Sequence, residues 1–443
     1  MTSTEPRSYT SEILVKIARL AIVGALVGGC GDDSESDEGT STADEGGSDS
    51  GGDDGGPVDP VAPACDVAPN RLDPLAAQGM SDDDFRALGR ARTTTAGAGT
   101  ARHNDVLRYV SAATGDDAND GSEAAPWQTL QHAADTVDAG TTVLVDASAP
   151  YEGGLDLHRS GSEDAFIIFM PLEPGTMPSL TGDPSRTATV DIDASYVVFQ
   201  GFEVVGQRGE TLADDAIGIQ IEPRGGNISN IEIRNNLVHE IGPGQVDDDT
   251  CYYNAHGIIA QAEGNAISAL VIDGNELHDL YVGNSECLVV NGNVAGFCVT
   301  NNYVHDVDNI AIDVIGYEKN DTETARMGTI ADNVVLDASN YWPYCSRGNC
   351  TYPAGDESSD GIYVDGGADL DISYNVVGRA DHGIELQSEN GQLIRNVEVA
   401  FNVVFNSNYK DLTIGDNENS GEHDNVLFSD PALDDADLVA CKP

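Results

Sequence analysis

Basic residues are scarce in this sequence of 443 residues. Lysine and arginine together number 21, against 76 aspartates and glutamates, and the formal net charge at pH 7 is −55. Binding to nucleic acid depends on basic side chains that displace counterions from phosphates. The sequence therefore predicts no nucleic-acid partner.

Aromatic residues and long apolar runs are also scarce. Aromatics make up 6% of the chain and glycines number 49, a balance that is typical of a turn-rich β protein. The apolar run LAIVGALVGG follows Lys16 and Arg19 and is too short to span a bilayer as a stable helix. It predicts an export signal that is cleaved.

The apolar run ends in VGGC, residues 27–30, which resembles the lipobox of bacterial lipoproteins. The resemblance implies a signal peptide over 1–29, a lipid on Cys30, and contact with a membrane through that lipid only. Because Gly31 follows the cysteine, the resemblance to Gram-negative lipoproteins implies an outer-membrane, cell-surface or extracellular location. An ordinary signal peptide with an incidental cysteine is the alternative.

The segments outside the central part of the chain are polar. Residues 30–64 contain no lysine or arginine and almost nothing apolar, which predicts an acidic disordered tether. Residues 65–105 predict a linker that is partly helical around SDDDFRALGRAR, and residues 429–443 predict a C-terminal tail.

Seven cysteines follow Cys30, and an odd number means that at least one is unpaired or pairs elsewhere. Cys345 and Cys350, in CSRGNC, predict a disulfide that closes a loop. A zinc site is the alternative, although no CxxC or HxxxH spacing supports it. The pairing of the others stays open: Cys65, Cys251, Cys287, Cys298 and Cys441.

An asparagine recurs between two short alternating strands. The six copies are IEIRNNLVHE (231–240), LVIDGNELHD (270–279), FCVTNNYVHD (297–306), GTIADNVVLD (328–337), LDISYNVVGR (370–379) and VEVAFNVVFN (397–406). The shared residues are Asn236, Asn275, Asn302, Asn333, Asn375 and Asn402. We interpret them as a structural ladder in which stacked asparagines cap a tight turn.

A third strand type, such as GIIAQ (257–261) and GIYVD (361–365), completes each unit. Three short strands in an irregular turn of about 27 residues are typical of a right-handed parallel β-helix, an all-β solenoid with three parallel sheets. We predict this fold for residues 106–428. An amphipathic helix around 126–137 is expected to cap its open N-terminal end.

The segment YVSAATGDDANDG…PWQTLQHAADTVDAGTTVLVDASAPYEGG, followed by asparagine-containing coils, resembles exported β-helix proteins of the pectate lyase superfamily. The family-nine polysaccharide lyases are the nearest group. The resemblance implies a polysaccharide substrate and covers residues 106–428. Because this fold carries lyases, hydrolases, epimerases and adhesins, the activity has to be inferred from the site.

Acidic residues cluster on one outward side of three consecutive coils, beside three long insertions at 242–255, 316–328 and 339–359. The cluster and its neighbours are Asp313, Asp360, Tyr363, Asp365, His382 and Glu385. Carboxylates at that density raise one another's pKa or recruit a cation. A solvated acidic face is the alternative.

A calcium-assisted polysaccharide lyase, acting by β-elimination on a polyuronate, is the first functional hypothesis. Family precedent and the need to bridge a polyuronate to this acidic protein imply Ca²⁺, and its candidate ligands are Asp313, Asp360, Asp365 and Glu385. The candidate catalytic residues are Lys410, Arg326, Arg379, His382, Glu385 and Asp313. Lys410 and Arg326 are the preferred bases.

Two alternatives stay open. Asp313 and Glu385 lie in the same column two coils apart, so their backbones are about 9.6 Å apart. Inverting glycoside hydrolases hold two carboxyls roughly 6.5–9.5 Å apart, and this spacing therefore suits such an enzyme. The strands that begin with Gly-Ile contain no lysine, which favours a non-catalytic carbohydrate-binding or adhesive solenoid. In each case we expect a monomer whose substrate contacts are Tyr363, Tyr317, Trp342, Tyr344 and His256.

Overall fold

The computed structural model describes residues 63, 65, 71–95, 104–209, 215–242, 254–340 and 358–434. The predicted lipid site at Cys30, the predicted disulfide between Cys345 and Cys350, and the predicted sugar contacts Trp342 and Tyr344 lie outside these residues. Within the described part of the chain, no helix is both long enough and apolar enough to cross a membrane.

Short strands dominate the described residues, which also contain two α-helices, α1 (Asp82–Thr95) and α2 (Leu130–Thr136), and two 3₁₀ helices, Pro74–Gly79 and Pro431–Leu433. The strands are β1 (Val106–Val110), β2 (Thr141–Val145), β3 (Tyr151–Glu152), β4 (Leu155–Leu157), β5 (Ile167–Pro171), β6 (Ser179–Thr181), β7 (Ala188–Ile192), β8 (Val197–Gln200), β9 (Glu203–Val205), β10 (Ala216–Ile221), β11 (Ile228–Arg234), β12 (Leu237–His239), β13 (Ala255–Asp273), β14 (Glu276–Leu280), β15 (Leu288–Thr300), β16 (Tyr303–Val307), β17 (Ile312–Ile315), β18 (Arg326–Ala331), β19 (Val334–Ala338), β20 (Asp360–Asp365), β21 (Ala368–Ser373), β22 (Val376–Gly378), β23 (His382–Leu386), β24 (Ile394–Ala400), β25 (Val403–Phe405), β26 (Lys410–Ile414), β27 (Asn417–Glu418), β28 (Gly421–His423) and β29 (Val426–Phe428).

These strands form three parallel stacks. Stack A contains β4, β7, β10, β13, β15, β17, β20, β23 and β26. Stack B contains β1, β2, β5, β8, β11, β13, β15, β18, β21, β24, β27 and β28, because the long strands β13 and β15 bend through the corner between stacks A and B. Stack C contains β3, β6, β9, β12, β14, β16, β19, β22, β25 and β29. The predicted parallel β-helix is confirmed.

The core is a continuous column of aliphatic side chains inside the coils. Along stack A, register partners from coil to coil are Ile258, Leu288, Ile312, Ile362 and Ile384, and all five are buried in the main hydrophobic cluster. Each such side chain stabilises the fold by about 1.5–3 kcal/mol through burial. Residues that alternate with this column point away from the core, which is how the stack presents polar groups on its outer face.

The predicted asparagine ladder is present between stacks B and C. Asn333 illustrates each step: its backbone N–H and its Nδ2 both donate to Asn375 Oδ1, at 3.0 and 2.9 Å, and Nδ2 also donates to the Val299 carbonyl at 2.9 Å. Asn425 extends the ladder by one coil beyond the six predicted members. The residue before each ladder asparagine has a left-handed backbone, as at Tyr374 with φ 58°.

Helix α2 closes the N-terminal end of the stack. Thr129 begins the helix, since its hydroxyl accepts from His132 N–H at 3.2 Å. Leu130, Ala133 and Ala134 are buried in the main core. The predicted capping helix is confirmed and is shorter than the pattern around 126–137 indicated.

Helix α1 packs on the outer face of stack C. Phe85 stacks on Phe405, with ring centroids 4.6 Å apart, and Gly89 lies so close to Tyr303 that a Cβ would approach the ring to 2.4 Å. Arg86 donates to Asp337 at 2.7 Å. The partly helical segment is therefore a packed element of the solenoid wall, which composition alone did not indicate.

A disulfide between Cys65 and Cys298 ties the residues before α1 to β15. The sequence left the pairing of both cysteines open. Within the described residues the remaining cysteine, Cys287, is a buried free thiol, and burial raises its pKa well above the usual value. A thiol in that state is a poor nucleophile.

Replacing Asn375 with alanine should destabilise the solenoid by roughly 2–5 kcal/mol, because two buried donors on Asn333 lose their acceptor. Urea unfolding measures the loss. The matched control is Asn425→Ala, at the partly buried end of the ladder, which should cost clearly less. Equal losses at the two positions would contradict a ladder whose strength depends on burial.

Candidate functional site

The outer face of stack A carries an aligned row of side chains. Register pairs each residue with the next: Asp156, Asp191, Gln220, Ile259, Val289, Asp313, Tyr363, Glu385 and Thr413. The part of this row from Gln220 to Thr413 has the register that the sequence predicted. Asp313 and Glu385 therefore lie two coils apart, with Tyr363 between them.

Five carboxyl groups around this row form what we call the acid cluster: Glu286, Asp313, Asp360, Asp365 and Glu385. The groups with the largest charge effects on Asp313 are Glu286, Asp365 and Asp360, and Glu385 has the largest charge effect on Asp360. The structure thus brings together all four predicted metal ligands and adds Glu286. Asp313, Asp365 and Glu385 alternate with core residues and face away from the core, yet Asp313 is only 2% exposed and Asp360 only 5%.

The charged forms of the Asp313 and Asp360 carboxyl groups are unfavourable in their surroundings. Burial, followed by the neighbouring carboxylates, raises the pKa of both groups well above the usual aspartate value. Among the described residues, Oδ1 of neither aspartate has a hydrogen-bond partner. Unpartnered buried carboxyl oxygens are costly and uncommon in folded proteins, so these two positions make this face the candidate site.

Glu286 lies at the same cluster, two positions before β15. Burial, then the charges of Glu318 and Asp365, raises its pKa to about 8. Its backbone carbonyl lies 2.9 Å from Nδ1 of His256. Burial lowers the pKa of His256, so this imidazole is neutral near pH 7. Glu286 is not among the site residues that the sequence predicted.

Asp365 is held by the turn that follows β23. It accepts from Glu389 N–H at 2.6 Å and from Asn390 Nδ2 at 2.9 Å, while burial raises its pKa to about 7. Tyr363 donates to Glu389 Oε1 at 3.4 Å. Because Tyr363 is 6% exposed, its ring offers little free surface for the sugar stacking that the sequence suggested.

Asp360, His382 and Glu385 form a donor triad that could hold a cation. One ligand atom from each lies within 4.8 Å of the other two, and His382 Nδ1 is 2.8 Å from Glu385 Oε2. The unpartnered Asp360 Oδ1 fits such a role. Calcium prefers an all-oxygen set, which Asp313 and Asp365 could supply, whereas the imidazole suits a transition-metal ion.

An exposed aromatic ring, which the sequence did not predict as a substrate contact, borders the acid cluster. Tyr409 is 68% exposed, and its ring centroid lies 4.9 Å from that of His382. Lys410, a predicted base, is the register partner of His382 in the next coil and is exposed. The signal for Tyr409 was its position directly before the strand that Lys410 begins.

Three other predicted residues lie outside the acid cluster. Arg379 pairs with Asp337 and Asp82 on the stack C side, because a corner separates it from His382 despite their closeness in sequence. Arg326 donates from Nη1 to Asn293 and to the Thr324 carbonyl, both at 3.1 Å. Tyr317 is buried, and its hydroxyl accepts from Arg395 at 2.7 Å.

A cleft of about 270 Å³ adjoins the acid cluster on the same face. Three successive coils supply Glu222, Gln261 and Asn291. The loop after β17 supplies Glu318, Lys319 and Glu323 as its wall. We refer to this feature below as the cleft.

The fold and this face define a parallel β-helix protein with an acidic outer groove. No family model matches the chain. The uncharacterised protein YwoF of Bacillus subtilis strain 168 is 34% identical over 313 residues, which are 69% of this chain and 64% of that protein. The chain thus spans slightly less than two thirds of this relative's length.

Solved structures share the fold at low sequence identity. The GH136 lacto-N-biosidase from Eubacterium ramulus superposes with a TM-score of 0.51 at 14% identity, covering 73% of this chain and 68% of that one. Pectate lyase Pel9A gives a TM-score of 0.45 at 14% identity, covering 75% and 82%. At this level the likeness to the lacto-N-biosidase extends to the fold alone.

Replacing Glu286 with glutamine should stabilise the protein at pH 9 and change little at pH 5. The folded protein keeps a proton on Glu286 up to about pH 8, whereas the unfolded chain releases it near pH 4. Stability therefore falls as the pH rises through this window, and the amide removes that loss. Melting temperatures at the two pH values measure the effect.

The matched control is Glu163→Gln, an exposed glutamate far from the cluster in sequence, which should leave both melting temperatures unchanged. If the Glu286→Gln variant has the same melting temperature as the parent at pH 9, the pKa of this carboxyl is not raised by folding.

Proposed function

We propose that the protein is a carbohydrate-active enzyme that hydrolyses glycosidic bonds with carboxyl groups of the acid cluster. The observation that supports this most strongly is the alignment of Asp313 and Glu385 two coils apart on the outer face of stack A. At about 4.8 Å per coil, the two backbones are about 9.6 Å apart. Inverting glycosidases hold their two carboxyls roughly 6.5–9.5 Å apart, which leaves room for the attacking water.

The two carboxyls have environments suited to different roles. Asp313 is buried among other acids, which favours its protonated form and a role as general acid toward the leaving oxygen. Glu385 lies 2.8 Å from His382, a contact that would orient this carboxyl as the base that activates water. Tyr409 offers an exposed ring for stacking against a sugar at the edge of the cluster.

The charge pattern favours hydrolysis over β-elimination. The groups with the largest charge effects on Asp313, Asp360 and Asp365 are all carboxylates. A lyase needs a base beside a neutralised uronate carboxylate. Arg326 and Arg379 have other partners, which leaves Lys410, the register partner of His382, as the predicted base at the cluster. The fold shared with a lacto-N-biosidase is consistent with glycoside hydrolysis.

Asp313→Asn and Glu385→Gln should each lower kcat by about 10²–10⁴-fold, with unchanged melting temperatures near neutral pH. Reducing ends released from a panel of polysaccharides measure activity, and NMR of the first product reports inversion at the anomeric carbon. Asp371→Asn, on the outer face of stack B, is the control and should keep full activity. Retention of configuration, or full activity in both variants, would refute this assignment.

A calcium-assisted lyase is the second candidate, supported by the donor triad and by Lys410 beside it. Asp360 and Glu385, with Asp313 and Asp365, would hold the ion, which would neutralise a uronate carboxylate. The same screen separates the candidates: unsaturated products that absorb in the ultraviolet and disappear with a chelator indicate the lyase. A calcium-dependent rise in melting temperature that Asp360→Asn abolishes would support the ion independently of activity.

We also propose that the enzyme is displayed at the cell surface through a lipid on Cys30, on the strength of the VGGC motif. Cells fed labelled palmitate should incorporate the label into the parent protein and not into Cys30→Ser. Label in the serine variant would show that this cysteine is not the lipid site.

A further inference from the structure

The cleft lies on the path that a linear substrate of the acid cluster would follow. Gln261 and Asn291 are register partners in the outer row of stack A that continues through Ile315 toward Asp365. At about 4.8 Å per coil, Asn291 lies about 9.6 Å from Asp365 along the stack. A glycan chain with its cleaved bond at the cluster would therefore place a neighbouring sugar in the cleft.

The wall of the cleft is fixed to its floor by hydrogen bonds. Asn291 Nδ2 donates to Glu318 Oε2 at 2.6 Å, and Lys319 Nζ donates to the other oxygen at 3.1 Å. Gly264 N–H donates to the Glu323 carboxylate at 3.2 Å. These contacts join the loop after β17 to two coils of stack A, so the cleft is pre-formed, as binding sites for small ligands usually are.

The lining groups suit hydroxyls and disfavour carboxylates. Among the described residues, four glutamates and one lysine line the cleft: Glu222, Glu263, Glu318, Glu323 and Lys319. Arg224, beside the cleft, pairs with Glu222 at 2.8 Å, so acids still outnumber bases. Ionised carboxylates and the carbonyl of Gln261 accept hydrogen bonds from sugar hydroxyls. A uronate carboxylate would meet like charge here and be repelled.

We propose that the cleft binds an uncharged sugar unit beside the cleaved bond, so that the substrate is a neutral polysaccharide and not a polyuronate. This inference rests on the proposed function, because it takes the acid cluster as the reaction centre. It assigns to Gln261 a role in binding one sugar of the chain, with no part in bond cleavage.

The test measures binding separately from cleavage. The full chain carrying Asp313→Asn is titrated calorimetrically with neutral oligosaccharides of xylose, glucose and N-acetylglucosamine, and with oligogalacturonate. We expect binding of at least one neutral oligosaccharide and none of the oligogalacturonate. Adding Gln261→Ala should weaken the neutral complex by about tenfold, the usual effect of one lost hydrogen bond.

The matched control is Gln200→Ala, at the end of β8 in stack B, which should leave the affinity unchanged. In the otherwise unaltered enzyme, Gln261→Ala should raise KM and preserve kcat, the pattern of lost uniform binding.

Two results would overturn the inference: tighter binding of oligogalacturonate than of every neutral probe, or a neutral complex indifferent to Gln261→Ala. The proposed function fails in a different way. If a neutral oligosaccharide binds through Gln261 but the unaltered enzyme does not cleave it, the assignment of the cleft stands and the hydrolytic role of the acid cluster is refuted.

Discussion

The parallel register between successive coils is the constraint on which the rest of the structure depends. Side chains at equivalent positions stack at about 4.8 Å, so the core becomes a column of aliphatics and the outer face becomes a row. The asparagine ladder fixes that register at one corner, because each asparagine bonds both the backbone and the amide of its neighbour. Asp313 and Glu385 are aligned because the ladder and the core leave the coils no other offset.

The same rigidity explains how the protein tolerates a group of buried acids. Five carboxyls in one place repel each other and lose hydration, and a pliable surface would move them apart. Here four of the acids lie on strands whose alternate residues are buried in the core, as Ile312 and Val314 are on either side of Asp313, and Glu286 lies two residues before such a strand. The stability of the solenoid therefore holds together a site that is unfavourable by itself.

The sequence was sufficient for the fold and for the outer row, because both follow from the alternation of strands and the spacing of asparagines. The sequence did not predict the position of a side chain where that position depends on the path of a turn. Arg379 is three residues from His382, yet a corner sends the two side chains to different faces. Tyr363 points outward as expected, but neighbouring residues cover it. The packing of α1 on stack C depends on contacts with distant coils, such as Phe85 with Phe405.

The Cys65–Cys298 disulfide also determines where mechanical load would enter the molecule. A pull on the chain ahead of Cys65 passes through the sulfur atoms into β15, which has paired strands on both sides in both stacks A and B. A solenoid held by its first coil can be peeled open one rung at a time from that end. In this solenoid the disulfide attaches to a coil near the middle of the stack. Tension along the polypeptide is therefore distributed over the hydrogen bonds of several coils before any strand separates.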